Sequence, residues 1–364
     1  MKWINKLVIF SLLVTLLGCS TGKKYDYYNN SFTGPFDTII EYRAYCLSQD
    51  EFDMQLKLIK EELTKLDQLF DRYTSYEGIN NIKTINDQAG VQPVEVDPIL
   101  IDMLEKSIQY NQEVCSKVDI MMGSVLSLWH DARERAVEGV GEVPSISQLE
   151  EANKHTDISL LEIDDEKNTV YIRDSRASID VGATAKGYAI EYVKQKLIEQ
   201  GATAFLLSGG GNIASYGMRQ VKAKGNENLE RSQDEFLIGI ESPGDGSYAD
   251  GQYPAMVIAT NQAIVTSGDY QRNFKDSEGN VYHHLIDPDT LFPATYFRSV
   301  TIITENSGYA DFLSSAAFLL PYDQSYDLIE NLDGVEAVWL MNDGTINHTT
   351  GLKEGDNFHI TNRQ

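Results

Sequence analysis

Between Glu51 and Phe70 the apolar residues Phe52, Leu56, Ile59, Leu63, Leu66 and Phe70 recur every three or four positions. That spacing puts them on one side of a helix and predicts an amphipathic element with a buried stripe. Phe36 to Tyr45 alternates apolar with polar side chains and carries β-branched residues, which predicts a strand. Asp97-Pro98 supplies an N-cap and a first-turn proline, so a helix is expected from there to about Cys115. Ser147-Gln148-Leu149-Glu150 has the form of a capping box for another short helix. The alternation at Thr169–Ile172, with Ile179 after it, predicts strands running into Asp180. Lys186 to Gln200 then reads as a helix closed by Gly201. Strand patterns follow at Ala204–Leu207, Phe236–Ile240, Ala255–Ala259, Ala263–Thr266 and Val300–Thr304, and the charged stretch 220–234 reads as a solvated loop. Tyr309 to Leu320 is a helix, and Val335–Leu340 with Asn342-Asp343-Gly344 forms a terminal hairpin. Many strands with interspersed helices, and no regular βαβ alternation, predict an α+β fold. The expectation is one large domain in which helices pack on a mixed or antiparallel sheet.

The first residues follow another pattern. Lys2 and Lys6 precede an almost wholly apolar run from Leu7 to Leu17, then Gly18 and Cys19. A basic start and an apolar run too short to span as a stable helix make a secretory signal, residues 1–18. Leu16-Leu17-Gly18-Cys19 resembles the lipobox of bacterial lipoproteins, which implies that Cys19 is lipidated and that the protein is membrane-anchored on the extracytoplasmic side. The polar stretch that follows reads as a flexible tether over 19–35, leaving 36–364 as the folded domain. No second run of apolar residues is long enough to span a bilayer.

Charge narrows the partners. The chain holds 55 acidic and 30 basic residues, a net −25, which argues against nucleic acid and against a polybasic membrane contact. Beyond Cys19 only Cys46 and Cys115 remain; an oxidising compartment permits their pairing, and the sequence leaves it open.

Three stretches carry chemistry. Asp180-Val-Gly-Ala-Thr-Ala-Lys-Gly187 joins a strand end to a helix start, where free N–H groups and Lys186 attract anions. Ser208-Gly-Gly-Gly-Asn212 lets backbone approach a ligand closely, or simply turns the chain. Thr266-Ser-Gly-Asp-Tyr-Gln-Arg-Asn-Phe274 leads to His283-His284-Leu-Ile-Asp287-Pro-Asp-Thr-Leu-Phe-Pro293, and Ala310-Asp-Phe-Leu-Ser-Ser315 opens a helix. His284, with an ordinary imidazole titration near pH 6.5, can accept a proton from an attacking hydroxyl, and Asp287 could orient it or act itself. On that basis activity would fall as pH drops through 6.5.

In order, spacing and residue type these stretches resemble the ApbE-type FAD:protein FMN transferases over about residues 36–350. The resemblance implies a Mg²⁺-dependent transfer of FMN from FAD to a Thr hydroxyl of an acceptor protein carrying a Ser/Thr-Gly-Ala-Thr type motif, with release of AMP. It implies that Asp180 and Lys186 contact FAD, with Gly210 and Gly211 beside the nucleotide. Tyr73 would pack on the flavin, with Asp119 lining it. The metal ligands it implies are the Ala183 carbonyl, Asp311 and Ser315, the last standing where the family usually has Thr. Asp311 and Ser315, four residues apart, share one helix face, and oxygen donors of this kind suit Mg²⁺. The chain departs from the family pattern at Gly308, where some members carry an acid, at Met121-Met122-Gly123-Ser124, and at Leu291, where Gly is common. Gly182-Ala183-Thr184 lies inside the nucleotide motif, which argues against self-flavinylation. The rival functions are FAD hydrolysis to FMN and AMP, and flavin binding without turnover by a lipid-anchored protein. A solute-binding lipoprotein would lack the paired Asp180 and Asp311 motifs.

Overall fold

The computed structural model describes residues 25–137, 141–219, 235–243 and 253–361. The first part of the chain runs β1 (Asp26–Thr33), β2 (Ile39–Cys46), α1 (Gln49–Phe70), α2 (Ile82–Asp87), β3 (Val94–Glu95), α3 (Pro98–Glu113), α4 (Gly123–Val137) and α5 (Ile146–Asn153). Next come β4 (Leu161–Asp164), β5 (Thr169–Ile172), α6 (Ala185–Glu199), β6 (Phe205–Gly209), β7 (Asn212–Tyr216), β8 (Phe236–Gly239) and β9 (Ala255–Ala259). The last are β10 (Ala263–Gly268), β11 (Asn273–Lys275), β12 (Val281–His283), β13 (Phe297–Thr304), α7 (Ser307–Phe318), α8 (Tyr322–Glu330), β14 (Glu336–Met341), β15 (Ile346–His348) and β16 (Phe358–Ile360).

An eight-stranded antiparallel sheet in the order β1-β2-β6-β7-β10-β13-β14-β15 forms the centre. Successive side chains on a strand face opposite sides, and the sequence uses both. Ala263 and Val265 of β10 join Val300 and Ile302 of β13 and the apolar face of α7. Ile264, Ile303 and Val338 point the other way, into a second core with the small sheet β16-β9-β8. Helix α7 is buried along almost its whole length because it lies between this sheet and α6. The fold is α+β, with helices on one face of the sheet and strands on the other.

Helix boundaries follow their caps. Ser48 accepts from the Glu51 N–H to begin α1, and Asp97 accepts from Ile99 ahead of Pro98 to begin α3. The capping box of α5 is built by Ser145 and Gln148, two residues earlier than the expected start, since Ser145 and not Ser147 stands three residues before a reciprocating Gln. The terminal hairpin forms as β14–β15, with Gly344 at φ 78.

Two expectations are corrected, and a third stretch, left open between a ligand cradle and a turn, is seen to turn the chain. The tether expected over 19–35 is in part a strand: β1 pairs with β2 along all eight of its residues. Its sequence is mostly polar because it is an edge strand, yet Tyr28 stacks on Phe52 and Phe32 packs on the core. Ile179 is in no strand; the Asn86 side chain accepts from its N–H and donates to its C=O, replacing a strand partner. The Ser208-to-Asn212 glycines are a two-residue hairpin turn, with Gly209 paired to Asn212 and both Gly210 (φ 50) and Gly211 (φ 89) left-handed. A Cβ on Gly210 would also meet Thr38 Oγ1 at 2.2 Å.

The signal segment, Cys19 and the loop 220–234 lie outside the described residues. Cys46 and Cys115 are both free thiols. Burial, with Glu51 adding a smaller charge effect, pushes the Cys46 thiol up to about 12 and keeps it protonated beside Gln55. Among the described residues no helix is long and apolar enough to cross a membrane.

Candidate active site

The packing of α6 on α7 fixes the first half of the site. Gly187, in the first turn of α6, lies so close to α7 that a Cβ there would stand 2.3 Å from Asp311 Cβ and 2.4 Å from the Ser307 carbonyl. Only glycine permits this approach, and it brings the Asp311 carboxylate onto the N-terminus of α6, where the Gly187 N–H donates to Oδ2 at 2.7 Å. The helix dipole favours an anion there. The expected anion at this helix start is therefore in part the protein's own Asp311. The carboxylate is nonetheless held above its ordinary range, because burial outweighs the nearby Lys186 and the Gly187 N–H. Ser315 is buried one turn further along α7, with its hydroxyl 3.5 Å from that of Ser267.

Lys186 reaches from α6 to the turn after β6, donating to the Gly210 carbonyl at 2.7 Å and to Asn212 Oδ1 at 2.9 Å. Burial lowers its pKa, with Asp311 opposing. Asp180 accepts from Arg72, whose guanidinium also donates to Ser127 Oγ at 2.7 Å and to the Gly123 carbonyl. The second oxygen of Asp180 takes the Gly182 N–H at 2.8 Å and shapes the loop carrying Ala183. Next to Arg72, Tyr73 is 54% exposed, unusual for a ring of that size, and stacks on His130 with centroids 4.6 Å apart. Asp119 accepts from the Met121 N–H, and burial raises its carboxyl to about 6.

All of these line one cavity of about 830 Å³: Tyr73, Asp119, Asp180, Ala183, Lys186, Gly210, Gly211, His284, Asp311 and Ser315. Asp287 is not among them. Asp287 lies past the end of β12 and past a bend at His284, and its carboxylate is drawn to other partners. It is buried against Lys117 Nζ at 2.6 Å and the Asp289 N–H at 3.0 Å. The expectation that it orients His284 is corrected: it ties down the turn that follows. His283 is also structural, with Nε2 donating to the Ala294 carbonyl at 2.7 Å and Nδ1 accepting from Leu285. His284 has a buried Nδ1 without a hydrogen-bond partner. Burial first, then the charges of Arg272 and His283, lower its pKa to about 3. The free protein therefore carries a neutral imidazole there, and the expected loss of basicity near pH 6.5 is replaced by one much lower.

The sequence pattern shared with known proteins covers this same set of elements. A family model for the ApbE family matches residues 36–339. The chain belongs to the ApbE family. A Treponema pallidum protein named FAD:protein FMN transferase is 31% identical over 280 residues, 74% of this chain and 73% of its own length. One of the same name from Haemophilus influenzae is 26% identical, over 71% of each chain. The crystal structure of the ApbE protein from Thermotoga maritima superposes with a TM-score of 0.74 at 25% identity, covering 90% of this chain and 98% of that one. Flavin transferase ApbE from Vibrio cholerae shares the fold at a TM-score of 0.70 and 20% identity.

Within this ApbE fold, Leu291 shows how the chain accommodates a missing glycine. It adopts φ 62, the left-handed conformation, and its N–H donates to the Asp287 carbonyl at 2.7 Å. Such a backbone costs a leucine about 1–2 kcal/mol. Its side chain is buried with Trp129, Phe274 and Ile286, and its carbonyl accepts from Trp129 Nε1 at 2.9 Å. Removing a buried leucine side chain costs about 2–5 kcal/mol, so burial outweighs strain. Leu291→Gly is expected to destabilise the protein by about 1–3 kcal/mol in urea unfolding. A more stable variant would mean that strain dominates at this turn.

Sequence reasoning missed Arg72 and Arg272. Arg72 was visible only as a neighbour of Tyr73, and nothing local couples it to Asp180, 108 positions on.

Proposed function

We propose that this protein is an FAD:protein FMN transferase that attaches FMN to a threonine of an acceptor protein. The observation that carries this is the neutral imidazole of His284, which lines the same cavity as Lys186 and the buried Asp311 carboxylate. Phosphoryl transfer needs positioning and charge neutralisation more than covalent help, and this cavity offers a proton acceptor beside cations and an aromatic platform.

Asp311, Ser315 and the Ala183 carbonyl are an all-oxygen donor set of the kind Mg²⁺ accepts. A buried carboxylate whose pKa is raised by desolvation suits a cation. When bound there, Mg²⁺ would supply neutralisation of the pyrophosphate charge. The chain's own residues do the rest. Tyr73 offers its exposed ring to the flavin, Lys186 and the Gly210-Gly211 turn face the phosphates, and Arg72 holds Asp180 in place. The threonine Oγ attacks the FMN-side phosphorus, its proton passes to His284, and the bridging P–O bond breaks to release AMP. Lipidation at Cys19 would hold the enzyme on the extracytoplasmic face of the membrane, where its acceptor would also lie.

The test is to incubate the chain from residue 25 onward with FAD, Mg²⁺ and a protein bearing a Ser/Thr-Gly-Ala-Thr motif, then weigh the acceptor. A mass increase of one FMN, lost when the acceptor threonine becomes alanine, supports transfer. Free FMN and AMP with an unmodified acceptor would make the enzyme a pyrophosphatase; unchanged FAD would leave only a flavin-binding protein.

A further inference from the structure

We infer that Arg272 is a substrate-contacting cation of the transfer reaction, binding the pyrophosphate of FAD and taking up the charge left on AMP as the bridging bond breaks. This rests on the reading above and adds a residue to it. The cavity has five cationic side chains, and four are occupied. Arg72 is held by Asp180 and Ser127, and Lys117 by Asp287 and Asp289. Arg133 sits on His130 Nδ1 and near Glu134, and Lys186 on Gly210 and Asn212. The Arg272 guanidinium lines the same cavity with no hydrogen-bond or ion-pair partner among the described residues. In a chain of net charge −25 an uncompensated arginine is not explained by a shortage of carboxylates.

Its place in the fold aims it at the reacting centre. Strands β11 and β12 pair with Asn273 opposite His283. The ladder ends at that pair, and Arg272 and His284, the next residue beyond it on each strand, both line the cavity. The proton acceptor and the free arginine thus enter the cavity side by side. The charge of Arg272 is felt by Tyr73 at the flavin end and by Lys186 at the nucleotide end, as well as by His284. A group sensed by both ends stands where the two halves of a dinucleotide join. The planar guanidinium, with its fork of donors, matches paired phosphate oxygens. When the bridging P–O bond breaks, the electron pair stays on the AMP phosphate, and a cation there stabilises the transition state more than the ground state.

The experiment compares wild type with Arg272→Met and Arg272→Lys, by titrating FAD and riboflavin against intrinsic fluorescence and by single-turnover transfer. Arg272→Met is expected to weaken FAD binding about tenfold and slow transfer about 10²–10³-fold, with riboflavin affinity unchanged because riboflavin has no phosphate. Arg272→Lys should recover part of the FAD affinity and less of the rate. If FAD affinity and transfer both stay within twofold of wild type in Arg272→Met, Arg272 is not at the pyrophosphate. A parallel fall in riboflavin affinity places it at the flavin end and also overturns the inference. Wild type that neither binds FAD nor transfers FMN would instead sink the transferase reading itself.

Discussion

Asp311→Ala is expected to lower FMN transfer by about 10³-fold or more, the several kcal/mol that metal-assisted charge neutralisation supplies. Two functions of the carboxylate must be separated. It accepts the Gly187 N–H at the start of α6, which is structural, and it offers a buried negative charge to the cavity. Asp311→Asn keeps an oxygen for the Gly187 N–H and removes the charge. A buried carboxylate costs stability unless a cation compensates it, so without Mg²⁺ the Asn variant should melt no lower than wild type, while its transfer is lost. On the proposed metal site, FAD with Mg²⁺ should raise the melting temperature of the wild type by mass action and of neither variant. Thermal melts with and without Mg²⁺, set beside transfer rates, check this. Normal Mg²⁺-dependent transfer by Asp311→Asn would remove Asp311 from the proposed metal site.

What the sequence revealed and what it hid divide along physical lines. Elements with a one-sided apolar pattern and a cap, such as α1 and α3, were legible because burial and capping are local signals. So was the β14–β15 hairpin, whose turn residues announce it. Strand β1 was hidden because an edge strand needs few apolar residues: only Tyr28 and Phe32 of its eight side chains reach the core. Helix α4 was hidden by its many polar residues, although Val125, Trp129 and Ala132 form its buried stripe. The cavity residues came from motifs far apart in the chain, and ten of the eleven expected side chains and backbone positions line it. Asp287 failed because Lys117 and the Asp289 N–H take its carboxylate, and the partner 170 positions away leaves no local signal in the sequence. Arg272 was missed because its significance lies in register: only the pairing of Asn273 with His283 sets it beside His284.

His284→Ala should slow transfer by about 10²–10⁴-fold, the usual worth of a positioned general base, while FAD affinity stays within a few-fold of wild type. The proposed metal donors, Lys186 and Tyr73 are all untouched by this change. The pH dependence carries further information. In the free protein the imidazole titrates at about 3, held down by burial and by Arg272 and His283. A histidine whose folded pKa is depressed stays neutral while the unfolded chain takes up its proton, so its contribution to stability falls as pH drops from about 6.5 towards 3. His284→Ala should flatten the acid side of the stability curve over that window. For catalysis, a base of pKa 3 is weak at neutral pH, but the negative charge of a bound pyrophosphate beside it favours the protonated ring and raises its pKa. The acid limb of kcat should therefore lie at higher pH than that of kcat/KM, the first reporting the FAD complex and the second the free enzyme. Coincident limbs would mean that FAD binds away from His284. An unchanged transfer rate in His284→Ala would assign the proton to another group, and loss of FAD binding would make His284 a ligand of the substrate in place of its base.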